Sequence, residues 1–160
     1  ALSQSLKGIA QVHLSGIGTR IFYAQLGGFD VHGAQIQTQN KLLENVSRSV
    51  GDFFDDLREN NGSEEVIMMI FSEFGRRVKD NGNGTDHGSG GGTFLIGDRV
   101  TGGFYDPYPS LALEDQLDGD MQFSHDFRSI YSTVLEQWLG LNPHPIVNGN
   151  FDQFENVFDI

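Results

Sequence analysis

The sequence predicts an α/β fold in which a mostly parallel sheet is flanked by helices. Two short apolar runs, Thr19–Leu26 and Glu65–Phe71, have the length and composition of buried strands. Between them, Ile36–Leu57 carries apolar residues at steps of three and four, which indicates an amphipathic helix. A strand, a helix and a second strand in this order form a βαβ unit with parallel strands and a right-handed crossover.

Further elements are predicted on both sides of this unit. The helical spacing of Leu2, Leu6 and Ile9 predicts a first helix that stops at Gly16. A short third strand is predicted at residues 93–96, followed by an irregular region over residues 98–122 that contains glycine and proline.

The carboxyl-terminal part of the chain is predicted to be helical and then irregular. Apolar residues at helical spacing predict a helix over residues 126–139, capped by Ser124 or Asp126. Residues 142–160 are rich in proline, asparagine and glycine, which predicts a surface tail. No composition shift marks a boundary, so we predict a single domain over residues 1–160.

The composition excludes several classes of function. The net charge of −12 argues against binding to nucleic acid or to an anionic membrane surface, since few cations are present to neutralise phosphates. The absence of cysteine excludes disulfides, thiolate metal ligands and a cysteine nucleophile. No apolar run approaches the roughly 20 residues of a membrane span, so we expect no membrane insertion.

Polar clusters follow both predicted strands. Asp30 and His32 come after the first strand and Glu73 after the second, while Asp86 and His87 lie in the glycine-rich segment GNGTDHGSGGG. Because ligands bind at the carboxyl ends of parallel strands, we expect these five side chains to share one edge of the sheet. Carboxylates and imidazoles suit divalent metals of the zinc or manganese kind. The sequence therefore predicts a site for one or two divalent ions, with magnesium and calcium as alternatives.

Two adjacent arginines, Arg76 and Arg77, stand out in an acidic chain. A guanidinium binds phosphate or sulfate oxygens in bidentate fashion, so both are candidates for binding a small anionic substrate. Plainer interpretations remain open for each cluster. Glu73 and Arg76 could form a surface ion pair, and the glycine-rich segment could be a connector.

Several motifs together resemble one protein family. GGFDVH, SEFGRR, NGNGTDHG and DFRSIYSTVLEQWLG occur in this order, within a resemblance that covers residues 6–141. The chain resembles the exported, sulfatase-like bacterial proteins called the domain of unknown function 1501 family, of the alkaline phosphatase superfamily. The resemblance implies an alkaline-phosphatase/sulfatase-like fold of which this chain is the carboxyl-terminal part. It also implies an exported, periplasmic or extracellular location.

The resemblance also implies roles for particular residues. Asp30 and His32 are similar to the pair that binds the first of two metals, and His87 is similar to a late metal-binding histidine. Glu73 stands where relatives have the aspartate of an Asp-His pair, and Phe74 stands in the place of the histidine. No residue of this chain matches the family's nucleophile, so no catalytic nucleophile is assigned here.

Two functions are compatible with these features. The first is a metal-dependent hydrolase of sulfate or phosphate esters, of which this chain supplies the carboxyl-terminal part. The alternative is a catalytically inactive binding or structural protein on the same scaffold, with residues 98–122 as a partner surface. Self-association is a further expectation for this chain.

Overall fold

The computed structural model describes residues 1–160, which divide into two compact units. The first unit comprises residues 1–68 and 79–86, and the second comprises residues 69–78 and 87–160.

The first unit is built from two packed helices. Helix α1 spans Leu2–Leu14, helix α2 spans Gln35–Glu59, and a 3-10 turn follows at Ser63–Glu65. The helices bury part of the apolar stripes that their spacing predicts, but Ile36 and Leu43 in the first half of α2 are 77% and 56% exposed. The buried apolar residues of this unit are Leu2, Leu6, Ala10, Val50, Phe53, Phe54 and Leu57.

A polar contact ties the end of α1 to the chain that leaves α2. The Nε2 atom of His13 lies 3.0 Å from the carbonyl oxygen of Gly62. His13 is thus a structural residue of the first unit, in line with its position on the apolar side of α1.

The second unit combines a small sheet with short helices. Strand β1 (Met68–Ile70) pairs with β4 (Phe94–Ile96). Its helical part runs through α3 (Phe127–Thr133), a π-helical segment (Val134–Trp138) and α4 (His144–Val147). Apart from glycine, the buried residues of this unit are Ser129, Ser132, Thr133, Val147 and Val157.

A β-hairpin carries part of each unit. Strand β2 spans Gly75–Asp80 and pairs with β3, which spans Thr85–Gly88. The tip, residues 79–86, belongs to the first unit, and the remaining hairpin residues belong to the second.

The prediction of a mostly parallel sheet flanked by helices is wrong. The sheets are two separate antiparallel pairs, β1–β4 and β2–β3. Between β1 and its partner β4 the chain forms the β2–β3 hairpin. An antiparallel pair needs no helical crossover between its strands. Helix α2 therefore does not connect two strands of one sheet.

The apolar run at residues 19–26 accounts for much of this error. It forms no strand in the structure, although the exposure of its residues alternates from Ile21 onwards, as in a strand. Ile21 and Tyr23 are 72% and 73% exposed. Composition predicted a buried strand here, but a strand also needs a hydrogen-bonded neighbour, which the local sequence does not specify.

The predicted helices are present in the structure. Helices α1 and α2 are confirmed, with α2 ending two residues beyond the predicted boundary at residue 57. The last predicted helix is α-helical in its first half and π-helical in its second, and Asp126, not Ser124, caps it. None of the helices combines the length and apolar character that crossing a membrane requires.

Candidate functional site

In the first unit, the imidazole of His32 lies between two carboxylates. Its Nε2 atom is 3.0 Å from Oδ1 of Asp30, and its Nδ1 atom is 3.2 Å from Oδ1 of Asp86. The three side chains are each about half exposed, with relative exposures of 50% for His32, 65% for Asp30 and 59% for Asp86. Three of the five predicted metal-binding residues therefore meet on the surface of one unit.

The tip of the hairpin fixes the position of Asp86. Asn81 donates a hydrogen bond from Nδ2 to Oδ1 of Asp86 at 3.0 Å. The side-chain oxygen of Asn81 in turn accepts from the backbone N–H of Asn83, and the backbone N–H of Asn81 donates to the carbonyl of Gly84. Asn81 thus belongs to the surroundings of the site, although it was not among the predicted site residues.

A second set of contacts holds the start of α2 against the same hairpin tip. Oε1 of Gln35, a buried residue at the start of the helix, accepts from both the backbone N–H and the hydroxyl of Thr85. The backbone N–H of Ala34 donates to Oδ1 of Asn83. A Cβ atom at Gly84 would lie 2.5 Å from Oε1 of Gln35, so only glycine fits there without rearrangement. The residues that directly follow His32 are therefore joined to the hairpin tip.

In the second unit, His87 stacks on an aromatic ring. The rings of His87 and Phe74 are parallel to within 9°, with centroids 3.8 Å apart. The guanidinium of Arg76 lies 5.3 Å from the centroid of the Phe74 ring. Phe74, which stands where the family resemblance implies a histidine, thus supports the His87 ring by stacking.

The second arginine of the pair has a structural contact instead. Arg77 donates from Nε to Oδ1 of Asp120 at 3.1 Å and from Nη2 to the carbonyl of Asp118. Gly119, between these two partners, has a φ of +83°. The guanidinium of Arg77 therefore stabilises the turn at residues 118–120 by two hydrogen bonds.

Glu73 lies in the second unit, in the exposed connection between β1 and β2. Its neighbour Ser72 donates to the carbonyl of Phe74, which bends this connection. The predicted set is thus distributed as follows: Asp30, His32 and Asp86 are joined in the first unit, and Glu73, Arg76, Arg77 and His87 belong to the second.

One family model matches this chain. It is described as "Protein of unknown function (DUF1501)", and the match covers residues 3–152. No curated protein and no solved structure matches the chain.

Proposed function

We propose that this chain, which belongs to the DUF1501 family of proteins of unknown function, carries metal-binding residues of a hydrolase that acts on sulfate or phosphate esters. The single observation that carries the proposal is the contact of His32 with Asp30 and Asp86. Here two carboxylates contact one imidazole at the protein surface. Carboxylates and imidazoles are ligands that zinc and manganese bind.

The separation of two of these atoms suits a shared ion. Nε2 of His32 and Oδ1 of Asp30 are 3.0 Å apart, so both could contact one ion at the usual bond length of about 2.1 Å. A divalent ion in such a site would act as a Lewis acid, which polarises an ester oxygen and activates water. Asp30 and His32 would hold it, and the metal-binding roles of Glu73 and His87 stay predictions from the sequence.

Arg76 is the better candidate for binding the ester anion. Nε and Nη2 of Arg77 donate to Asp120 and to the carbonyl of Asp118, so Arg77 would have to give up these bonds to turn both groups towards an anion. We therefore propose Arg76 as the residue that binds the ester anion, and Arg77 stays a prediction from the sequence.

The test is metal binding by the chain, measured by calorimetry with Zn²⁺ and Mn²⁺ and by thermal melting. At an ion concentration 100 times the dissociation constant, binding raises the unfolding free energy by about 2.7 kcal/mol. We expect a rise of several degrees in melting temperature, which Asp30→Ala and His32→Ala remove. Asp152→Asn and His144→Ala are matched controls, since both residues are exposed and outside the cluster. If no divalent ion changes the melting temperature of the unmodified chain, the proposed metal site is wrong.

A second candidate, an inactive binding or structural protein on the same scaffold, is favoured by one observation. Phe74 fills the position of an expected metal-binding histidine and stacks on His87, which gives that imidazole a packing role. The two candidates are separated by a screen of aryl sulfates and aryl phosphates on the protein in its native, metal-loaded form. Turnover that His32→Ala abolishes supports the hydrolase, and metal binding without turnover supports the scaffold.

A further inference from the structure

We infer that Asp86 is a positioning residue for His32 and not itself a metal ligand. This inference rests on the proposed metal site and assigns different roles to its two carboxylates. Asp30 shares the ion with His32, while Asp86 fixes the His32 ring from the opposite nitrogen.

The first argument comes from the two ring nitrogens. A neutral imidazole has one N–H donor and one lone pair, so only one nitrogen can bind a metal while the other donates. Nδ1 of His32 faces Asp86 and Nε2 faces Asp30. One carboxylate must therefore accept the N–H, and the other must lie on the side of the lone pair.

The second argument identifies which carboxylate accepts. Oδ1 of Asp86 is 3.2 Å from Nδ1 of His32 and also receives the side-chain N–H of Asn81 at 3.0 Å. Two N–H groups directed at one carboxylate oxygen occupy the lone pairs that a cation at that oxygen would need. Oδ1 of Asp86 is therefore arranged to accept two N–H groups, which places the His32 proton on Nδ1 and its lone pair on Nε2, beside Asp30.

The third argument is that Asn81 is itself fixed. Its side-chain oxygen accepts from the N–H of Asn83 at 3.1 Å, and its backbone N–H donates to the carbonyl of Gly84 at 2.9 Å. The hairpin tip thus holds Asn81, Asn81 holds Asp86, and Asp86 orients His32. A histidine that binds a metal through one ring nitrogen usually donates the N–H of its other ring nitrogen to a carboxylate, a backbone carbonyl or water.

The deciding measurement is the position of the ring proton in the zinc-loaded chain, read by long-range ¹H–¹⁵N correlation spectra of its histidines. His32→Gln assigns the signals. We expect the His32 proton on Nδ1 and zinc on Nε2. A proton on Nε2, with zinc on Nδ1, would overturn the role of Asp86 while leaving the proposed metal site intact. A chain that binds no zinc at all would overturn both.

Substitutions at the two carboxylates give an independent readout. Asp86→Asn keeps an oxygen acceptor of the same shape, and the donor from Asn81 favours the orientation in which that oxygen faces it. We expect Asp86→Asn to weaken zinc affinity by about tenfold at most, and Asp86→Ala or Asn81→Ala to weaken it by about 10–100-fold. Asp30→Asn should lose far more, because it removes a charged ligand.

Equal losses for Asp86→Asn and Asp30→Asn would instead make Asp86 a ligand. Melting curves of the metal-free variants identify any that fail to fold. Asn81→Ala tests the same chain of contacts without altering either carboxylate, so one misfolded variant does not remove the test. Asp152→Asn again serves as the charge-matched control.

Discussion

Asp126 holds the start of α3 with two kinds of hydrogen bond. Its Oδ1 atom accepts from the backbone N–H of Arg128 at 2.9 Å, which is an N-cap contact. Both of its carboxylate oxygens also accept from the Arg128 guanidinium, at 2.9 and 2.7 Å. These bonds, the side-chain ones first, lower the pKa of Asp126 from 3.8 to about 2.

The lowered pKa of Asp126 predicts an acid-dependent loss of stability. A carboxylate whose pKa is lower in the folded state contributes stability above its unfolded pKa and loses it as the pH falls through the folded value. We expect the contribution of Asp126 to be complete above about pH 4 and lost towards about pH 2. The measurement compares melting temperatures of the unmodified chain and Asp126→Ala. The variant should melt a few degrees lower at pH 6, and the difference should be much smaller at pH 2. A constant difference at both values would contradict the assignment.

At the scale of residues, the sequence identified candidates better than it identified roles. Arg76 and Arg77 are neighbours with the same chemistry, yet Arg77 binds a turn 43 positions further along the chain. Local sequence does not specify such a partner. Similarly, Asp30, His32 and Asp86 were all predicted as metal-binding residues, but the hydrogen bond from Asn81 to Asp86 is visible only in the structure.

The hairpin and the glycines around it show that GNGTDHGSGGG, residues 82–92, is structured and is not merely a flexible connector. Its residues 85–88 form strand β3, and two of its glycines pack against backbone. A Cβ atom at Gly88 would lie 2.6 Å from the carbonyl carbon of Arg76, and one at Gly75 would lie 1.7 Å from the carbonyl oxygen of Gly90. These glycines allow close backbone approach, as a flexible connector would not require.

This packing predicts a sharp difference between glycine substitutions. Gly75→Ala forces the backbone apart at Gly90, and overpacking of this kind costs about 1–3 kcal/mol of unfolding free energy, occasionally more. Gly92→Ala should change it by less than about 1 kcal/mol, because nothing lies within 4 Å of its added Cβ atom. Urea denaturation of both variants measures the difference. Equal stability of the two would show that the close approach of Gly75 and Gly90 is not maintained in solution.

Helices were predictable from the sequence and strand pairing was not, for a physical reason. The stripe of α2 repeats within the helix itself, so 25 consecutive residues carry their own signal. The partner of β1 lies more than 20 residues away, beyond a hairpin whose strands contain Arg, Lys, Asp and Gly in place of an apolar run. Composition alone could not reveal that this polar segment forms two strands.

At the scale of the whole molecule, a high negative charge coexists with exposed apolar side chains. The net charge is −12. Phe104, Tyr108 and Leu113, all in the second unit, are 103%, 83% and 84% exposed. Charge repulsion between copies opposes association at low salt, while exposed apolar groups favour it.

Self-association of this chain should therefore increase with ionic strength. Salt shortens the range of charge repulsion from about 30 Å at 0.01 M to about 3 Å at 1 M, whereas it does not weaken apolar contact. We expect sedimentation velocity to show larger average mass at 0.5 M than at 0.02 M sodium chloride. Phe104→Ser should reduce the increase, and Asp152→Asn should not. A monomer at every salt concentration would rule out this expectation.

The contact between His32 and Asp86 also determines when the candidate site can exist. The two residues are 54 positions apart in the chain, with the whole of α2 between them. Closing a loop of that length is an entropic cost that local helix formation does not have, so contacts of this separation form late in folding. A chain emerging from the ribosome would have α2 before it had the hairpin tip. The imidazole of His32 would therefore acquire its second carboxylate only in the folded first unit, and its NMR signals would report on completed folding.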